Sequence, residues 1–497
     1  MAKAKTPSFI LEQKLMTSPE TERILDARFL CVWRIKVQLV KHARKQINKY
    51  LADQRRRELV SEKKELSSRT DTVSRKRCVS INREISDLRL MYGLSRYQFK
   101  LWVQPLQQRY KTHIDSRTAQ CIADDIWKAA DKYLFGKGNG LHIPQKDDVL
   151  SVESNDNLTG IIFRKGHIKW RGLDIQVQRA RHGSRERAYE DEALSRRVKY
   201  CRIVRKPFSG RWHYYVQLVL EGIPPKKHST GTGRVGIDPG TSGAAVVSEK
   251  ECILTALDEG VPDYSRELSR INRALDRSRR AMNPGNYNPD GTVKRGHKRW
   301  RYSKNCRALQ RRKRSLERKQ AAGLRCHHER LANVILSLGD DVFTEGMNYR
   351  GLQRRAKETT RNRRGKYNRK SRFGKSLRSC APAMLLSMID RKLRYEGKEL
   401  HKVNTRAFRA SQYNHVTDEY IKKRLSKRYN TIDGRWVQRD LYSAFLLMNS
   451  ADDLQSTDRS LCFKTYGTFL GNHDRCITGL KEGNCRLLSS FGISGAA

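Results

Sequence analysis

Val235-Gly236-Ile237-Asp238-Pro239-Gly240-Thr241-Ser242-Gly243-Ala244-Ala245-Val246-Val247 decides the fold of the second half of this chain. Val235 to Asp238 reads as a buried strand, Pro239 to Gly243 as a tight turn, and Ala244 to Ser248 as a second strand. Cys252 to Leu257 supplies a third, so the stretch predicts a β-meander. Downstream, Ser265 to Met282 has helical spacing, 283–298 is a turn-rich insertion, and Trp300 to Leu338 is a long basic helix closed by Gly339. Val342 to Thr344 is a short apolar strand that ends at Glu345. Arg350 to Arg378 reads as a loop with 13 basic residues and one acid, Glu358. A helix from Pro382, a strand over Leu400–Val403 and an apolar helix over Leu441–Met448 follow; the tail from Ser450 gives no clear pattern.

Upstream, the first third is helical and charged, with stretches over Leu30–Leu51, Arg55–Leu90 and Arg117–Leu134. Gly136 to Gly140 breaks that pattern, and from Val149 to Val219 the period shifts towards two, as in strands. Pro224, Pro225 and the following HSTGTG read as a linker.

The chain has 497 residues, enough for about three domains. Its 103 Lys and Arg against 52 Asp and Glu give a formal net charge of +51. That charge repels itself unless a polyanion neutralises it, which excludes an enzyme of small neutral substrates and points to nucleic acid. Hydrophobic residues at 37%, with 7 Trp, 20 Tyr and 13 Phe, are enough for folded cores. Eleven cysteines without any CxxC argue against a disulfide framework. Neither a signal peptide nor a run of about 18 apolar residues is present, so no membrane partner and a cytoplasmic (prokaryotic) location are expected.

Three acids stand at element ends: Asp238 closes VGID, Glu345 closes VFTE, and Asp440 opens DLYSAFLL. Singly they read as a turn residue, a solvated strand end and a helix N-terminal acid. Meander, helix, strand and final helix is the order of the ribonuclease H-like fold, in which such carboxylates converge. Asp238, Glu345 and Asp440 are therefore the predicted catalytic residues and metal ligands. They would hold two Mg²⁺ ions, replaceable by Mn²⁺, because Mg²⁺ prefers oxygen ligands and a metal pair can clamp both ends of a phosphodiester displacement.

VGIDPGTSGAAVV, TEGMNYRGLQ and QRDLYSAFLL resemble the three RuvC motifs of the TnpB nucleases and compact Cas12 (type V CRISPR) effectors. The basic KRWRYSKNCRALQRRKRSLERK is similar to the long helix inserted between their first two motifs. The resemblance covers residues 200–450. It implies a multi-domain α+β protein: a helical recognition lobe and a β-barrel wedge, followed by a ribonuclease H-like (RuvC) α/β nuclease domain. On that pattern 1–29 is a wedge-associated segment, 30–148 the recognition domain, 149–230 the wedge, and 231–410 the nuclease domain with its first two motifs. Residues 411–436 form a degenerate zinc-ribbon-like loading subdomain, and 437–497 the third motif and tail. The implied activity is RNA-guided DNA cleavage by a single metal-dependent site. The implied partners are a guide RNA (crRNA/tracrRNA or transposon-derived omega RNA) and double-stranded target DNA, with no protein partner predicted.

Arg350, Arg354, Arg355, Arg363, Arg364, Lys370, Arg372 and Arg439 are the predicted phosphate contacts, and Trp300 and Trp436 the predicted stacking residues. Tyr302, Tyr349, Tyr367 and Phe373 also lie among basic residues. The family's CxxC…CxxC ribbon is missing, since SQYNHVTDEYIKKRLSKRYNTIDGRW has no cysteine. No structural zinc is expected, and His415 reads as a polar loop residue. Cys326-His327-His328 and the set His473, Cys476, Cys485 are weaker metal candidates. Other readings are a guide-dependent DNA binder or repressor that does not cut, a guide-independent RuvC-type nuclease or transposase, and a sugar kinase whose first phosphate loop VGIDPGTSG resembles. The kinase lacks further glycine-rich loops here.

Overall fold

The structure is a computed structural model of the chain, described over residues 6–69, 71–208, 210–356, 358, 360–362, 365, 368, 373–424, 426–483 and 489–493. The chain divides into two compact units, Met1–Pro225 and Lys226–Ala497.

In the first unit, strand β1 (Ser8–Lys14) leads into the 34-residue helix α1 (Pro19–Ala52). Ser18 caps α1 by accepting from the Thr21 amide, with proline at the first helical position and Glu20 and Glu22 in the first turn. The predicted 29/30 boundary therefore lies inside one helix. Helices α2 (Gln54–Leu66), α3 (Thr72–Met91), α4 (Arg96–Gln108) and α5 (Ser116–Leu134) follow. The remaining elements are β2 (Ser151–Glu153), β3 (Ile162–Arg164), β4 (His167–Trp170), β5 (Leu173–Gln176), α6 (Arg185–Leu194), β6 (Val198–Phe208) and β7 (Arg211–Glu221).

The long β6–β7 hairpin is central to an antiparallel sheet of order β1-β7-β6-β2, and β3, β4 and β5 make a second sheet. β1 pairs along its whole length with β7, from Ser8 beside Glu221 to Lys14 beside Tyr215. The predicted barrel is not closed among the described residues. β1 and the three-residue β2 are opposite, unpaired edges of one sheet, and a single antiparallel bridge, Leu15 beside Val177, links the end of β1 to the end of β5 in the second. One core built on Phe29, Trp170, Tyr214 and the inner residues of both sheets holds the unit together.

The second unit opens with β8 (Arg234–Pro239), β9 (Gly243–Ser248) and β10 (Cys252–Ala256), an antiparallel meander. α7 (Ser265–Met282) and α8 (Lys304–Leu338) form a basic two-helix extension. Ser303 caps α8 through the Cys306 amide, so the helix starts after Trp300. β11 (Asp341–Glu345) returns parallel to β8, followed by α9 (Tyr349–Leu352), α10 (Gly374–Cys380), α11 (Pro382–Tyr395) and β12 (His401–Val403), which runs parallel to β11. The sheet order is β10-β9-β8-β11-β12.

After α12 (Thr405–Phe408) come two hairpins, β13 (Tyr413–Asn414) with β14 (Glu419–Tyr420) and β15 (Tyr429–Ile432) with β16 (Arg435–Gln438). α13 (Arg439–Met448) and α14 (Arg459–Glu482) complete the unit.

Period-two alternation sorts the sheet's two faces. Val235, Ile237, Ala244, Val246 and Val342 pack against Ile335, Leu385 and Ile389 from α8 and α11. Ala245, Val247 and Leu254 pack against α13 and α14. α13 is apolar on all sides from Leu441 to Met448 and is buried throughout, which suits a helix wedged between sheet and α14. Gly236 permits this, because a Cβ there would stand 1.9 Å from the Ala444 carbonyl oxygen and 2.4 Å from the Met448 nitrogen. No helix among the described residues is long and apolar enough to cross a membrane.

Candidate active site

The β8–β11 ladder pairs Val342 with Val235, Phe343 with Gly236 and Thr344 with Ile237. Asp238 and Glu345 come next on their strands. Asp238 shares parity with Gly236, the residue α13 rests on, and Glu345 is in step with Phe343 opposite it. Two carboxylates thus leave the same end of two neighbouring strands on the α13 side. Asp440, in the first turn of α13, approaches from above.

That first turn is fixed by Gln438, which the sequence reading passed over, and by His473, which it took for a weak metal candidate. The Gln438 side chain accepts from the Leu441 amide at 2.8 Å as the N-cap. The Gln438 amide in turn donates to Nε2 of buried His473 at 3.0 Å, and Nδ1 of His473 meets Asp474 at 2.8 Å. His473 is therefore occupied in positioning α13 and does not face a zinc site. Cys485 lies outside the described residues.

Asp238 and Glu345 are half-buried, and the Asp440 side chain is 23% exposed. Burial and the charges of Glu345 and Asp440 push the Asp238 carboxyl well above the usual carboxylate range, with Arg439 opposing. Burial raises Glu345 as well. The site concentrates negative charge that the protein only partly balances. The balancing group is Arg439, whose Nη2 and Nε donate to Asp440 Oδ1 at 2.9 and 3.1 Å, while Nη1 donates to the Lys427 carbonyl at 3.3 Å.

As they stand, the three acids do not form a ready cation cage. Among the described residues no group of three or more His, Cys, Asp or Glu side chains is arranged to hold a metal ion. Bare carboxylates repel, and Arg439 holds Asp440. The donor set itself, three carboxylates, is the chemistry Mg²⁺ and Mn²⁺ select.

Of the predicted nucleic-acid contacts, Arg350, Arg354 and Arg355 are exposed, and Trp436 is 74% exposed. Arg439 is 14% exposed and faces the acid cluster. Trp300 is half-buried with its ring edge on Tyr287, centroids 5.9 Å apart. Arg363, Arg364, Lys370, Arg372 and Tyr367 lie outside the described residues. An additional basic face escaped the sequence reading: Arg266, Arg270, Arg273, Arg277 and Arg280 are all exposed along α7. Their alternating spacing of four and three residues, opposite buried Ile271 and Leu275, was the available signal.

His415 requires a correction. It is fully buried, not a polar loop residue. Its Nδ1 lies 2.8 Å from the Tyr442 hydroxyl, which also accepts from the His415 amide at 3.1 Å. Phe445, Phe463 and Tyr466 ring it at centroid distances of 5.2 to 5.7 Å and, for Tyr466, 4.8 Å. Burial pushes the imidazole down to about 4, so it is neutral. The other candidate, Cys326-His327-His328, is split by its helix: Cys326 is exposed, whereas His328 is buried with Nε2 3.1 Å from the Leu257 carbonyl.

No family model and no curated protein matches this chain. Among solved structures it is similar to the one described as a cryo-EM structure of the Cas12f1–sgRNA–target DNA complex. That match has 12% identity and a TM-score of 0.44, covering 90% of this chain and 100% of that one. A second, described as a cryo-EM structure of a CRISPR-Cas12f ternary complex, has 12% identity and a TM-score of 0.22, covering 86% and 82%.

Proposed function

We propose that the chain is an RNA-guided DNA endonuclease whose second unit is a ribonuclease H-like (RuvC) domain cutting phosphodiesters with divalent cations. The observation that carries the reading is the approach of Asp238, Glu345 and Asp440 from two adjacent parallel strands and one helix start. Burial, and after it the charges of Glu345 and Asp440, raise the Asp238 carboxyl in keeping with that approach. In this reading the three carboxylates hold Mg²⁺, which when bound supplies charge neutralisation and an activated water. Glu345 and Asp238 present ligand oxygens from rigid strands, and Gln438 and His473 fix the helix start that presents Asp440. The net charge of +51, the exposed arginines of α7 and the basic 350–378 stretch support a long polyanionic partner. A guide RNA and double-stranded target DNA are the proposed partners.

One observation favours a second reading. Arg439 already engages Asp440, and among the described residues no three-ligand group is preassembled, as suits a guide-dependent DNA binder that does not cut. One experiment separates the two. The protein, reconstituted with the RNA that co-purifies with it, is given plasmid carrying the matching sequence, with Mg²⁺ or with EDTA. The nuclease reading expects cutting only with Mg²⁺ and none with Asp238→Ala. Retention of the plasmid without cutting at any divalent concentration would establish the binder instead.

A further inference from the structure

Tyr349 opens α9, four residues beyond Glu345. Its position is set locally: Asn348 caps the short helix by accepting from the Gly351 amide at 2.9 Å, and the ring is partly buried against the core beneath the sheet. The hydroxyl oxygen is inaccessible to solvent and has no hydrogen-bond partner among the described residues. Buried hydroxyls are nearly always bonded, and an orphan one is costly. Burial, and after it the charges of Asp238 and Glu345, push its ionisation far up. Tyr349 therefore remains a neutral donor beside two carboxylates, bonded to neither.

A donor in that position needs an acceptor oxygen. Hydrated Mg²⁺ and Mn²⁺ retain several waters when bound by one or two carboxylates, and groups that hold such outer oxygens orient the whole assembly. We propose that Tyr349 is a positioning residue of the acid cluster. Its hydroxyl donates to the water shell of a divalent cation held by Asp238 and Glu345. This rests on the metal-dependent reading above.

The test uses the full-length protein without nucleic acid. Mn²⁺ binding is followed by the loss of the free-ion electron paramagnetic resonance signal in wild type, Tyr349→Phe and Asp238→Asn. Thermal melts are run on each in EDTA and in MnCl₂. The expected result is Mn²⁺ binding that depends on Asp238 and is about 10–100-fold weaker in Tyr349→Phe. In EDTA, Tyr349→Phe should melt at or above the wild-type temperature, since it removes an unpaired buried hydroxyl. Unchanged Mn²⁺ affinity in Tyr349→Phe, with binding still lost in Asp238→Asn, would overturn the inference and leave the cation site standing. A lower melting temperature in EDTA would also overturn it, by showing that the hydroxyl is bonded within the protein. Wild-type affinity for Mn²⁺ with weakened DNA binding in Ca²⁺ would assign the hydroxyl to a phosphate oxygen instead. Absence of any Asp238-dependent Mn²⁺ binding would remove the metal reading itself.

Discussion

Two neighbourhoods meet on α13, two residues apart, and they solve opposite problems. Asp440 belongs to a cluster of carboxylates whose charge is only partly met, by Arg439. Tyr442 belongs to an aromatic shell that buries a neutral His415, with Phe463 on its exposed side. The first has carboxylate oxygens in excess, which the proposed cation would complete. Of the second, His415 comes from 411–436, the stretch expected to be a degenerate zinc ribbon, and the rings around it come from α13 and α14. Clamping by Arg459, whose Nε donates to the His415 carbonyl and Nη2 to the Val416 carbonyl, both at 2.7 Å, ties the hairpin to α14. A cluster of carboxylates only partly countered among the described residues indicates chemistry, whereas a buried, neutral imidazole packed among rings indicates architecture.

The contrast is most exposed to failure at Asp238. Asp238→Ala should lower Mg²⁺-dependent cleavage by more than about 10³-fold, so that none is seen in the plasmid assay, beyond the scale of losing one preorganised group from a reacting centre. Guide RNA binding in a filter assay should stay near wild type. Equal loss of RNA binding would make the acid structural and erase the distinction. On the architectural side, His415→Ala should destabilise the protein by about 2–4 kcal/mol in urea unfolding, as expected for emptying a packed aromatic site. A loss within experimental error would show that the ring shell is not a core.

Gly236→Ala tests the part the two neighbourhoods share. A methyl group 1.9 Å from the Ala444 oxygen forces α13 away from β8, with an expected loss of about 1–3 kcal/mol by the same measurement. It should also weaken cleavage, because Asp440 moves with its helix. An unchanged melt would mean that α13 is not seated as described.

Acid sharpens the difference further. Folded His415 titrates near 4 against an ordinary 6.5, so the unfolded chain takes up the proton first. Its contribution is full above about 6.5 and is lost as pH falls from there towards 4. His415→Phe should flatten that part of the stability–pH curve; an unaltered curve would assign the slope elsewhere. The smallest expected effect is none: a zinc chelator should leave the melting temperature unchanged, and a clear drop would restore a metal to the hairpin region.

How much of this was legible in the sequence differs by region. The meander, the strand ending at Glu345 and the helix after Asp440 could be read because burial on both faces leaves short apolar runs bounded by turns and an acid. Ser18 and Pro19 carried a helix-start signal, but charge from residue 20 onward obscured it, and the boundary was placed within α1. The β6–β7 hairpin was legible only as a change of period, because β6 carries Lys and Arg on its outer face and a register shift at Val198/Tyr200. His415 was misread because a lone histidine among polar residues gives no local sign of the aromatic residues on α13 and α14 that close over it. Gln438 and His473 matter through a contact across 35 positions, and Tyr349 through an atom with no partner among the described residues, neither of which a linear pattern contains.

The most direct test of the central claim is the anomalous diffraction of crystals grown with Mn²⁺. The account predicts a peak within ligand distance of Asp238 and Glu345, with Asp440 drawn towards it. Well-ordered crystals in which Asp440 remains on Arg439 and Mn²⁺ is found only away from these carboxylates would contradict it.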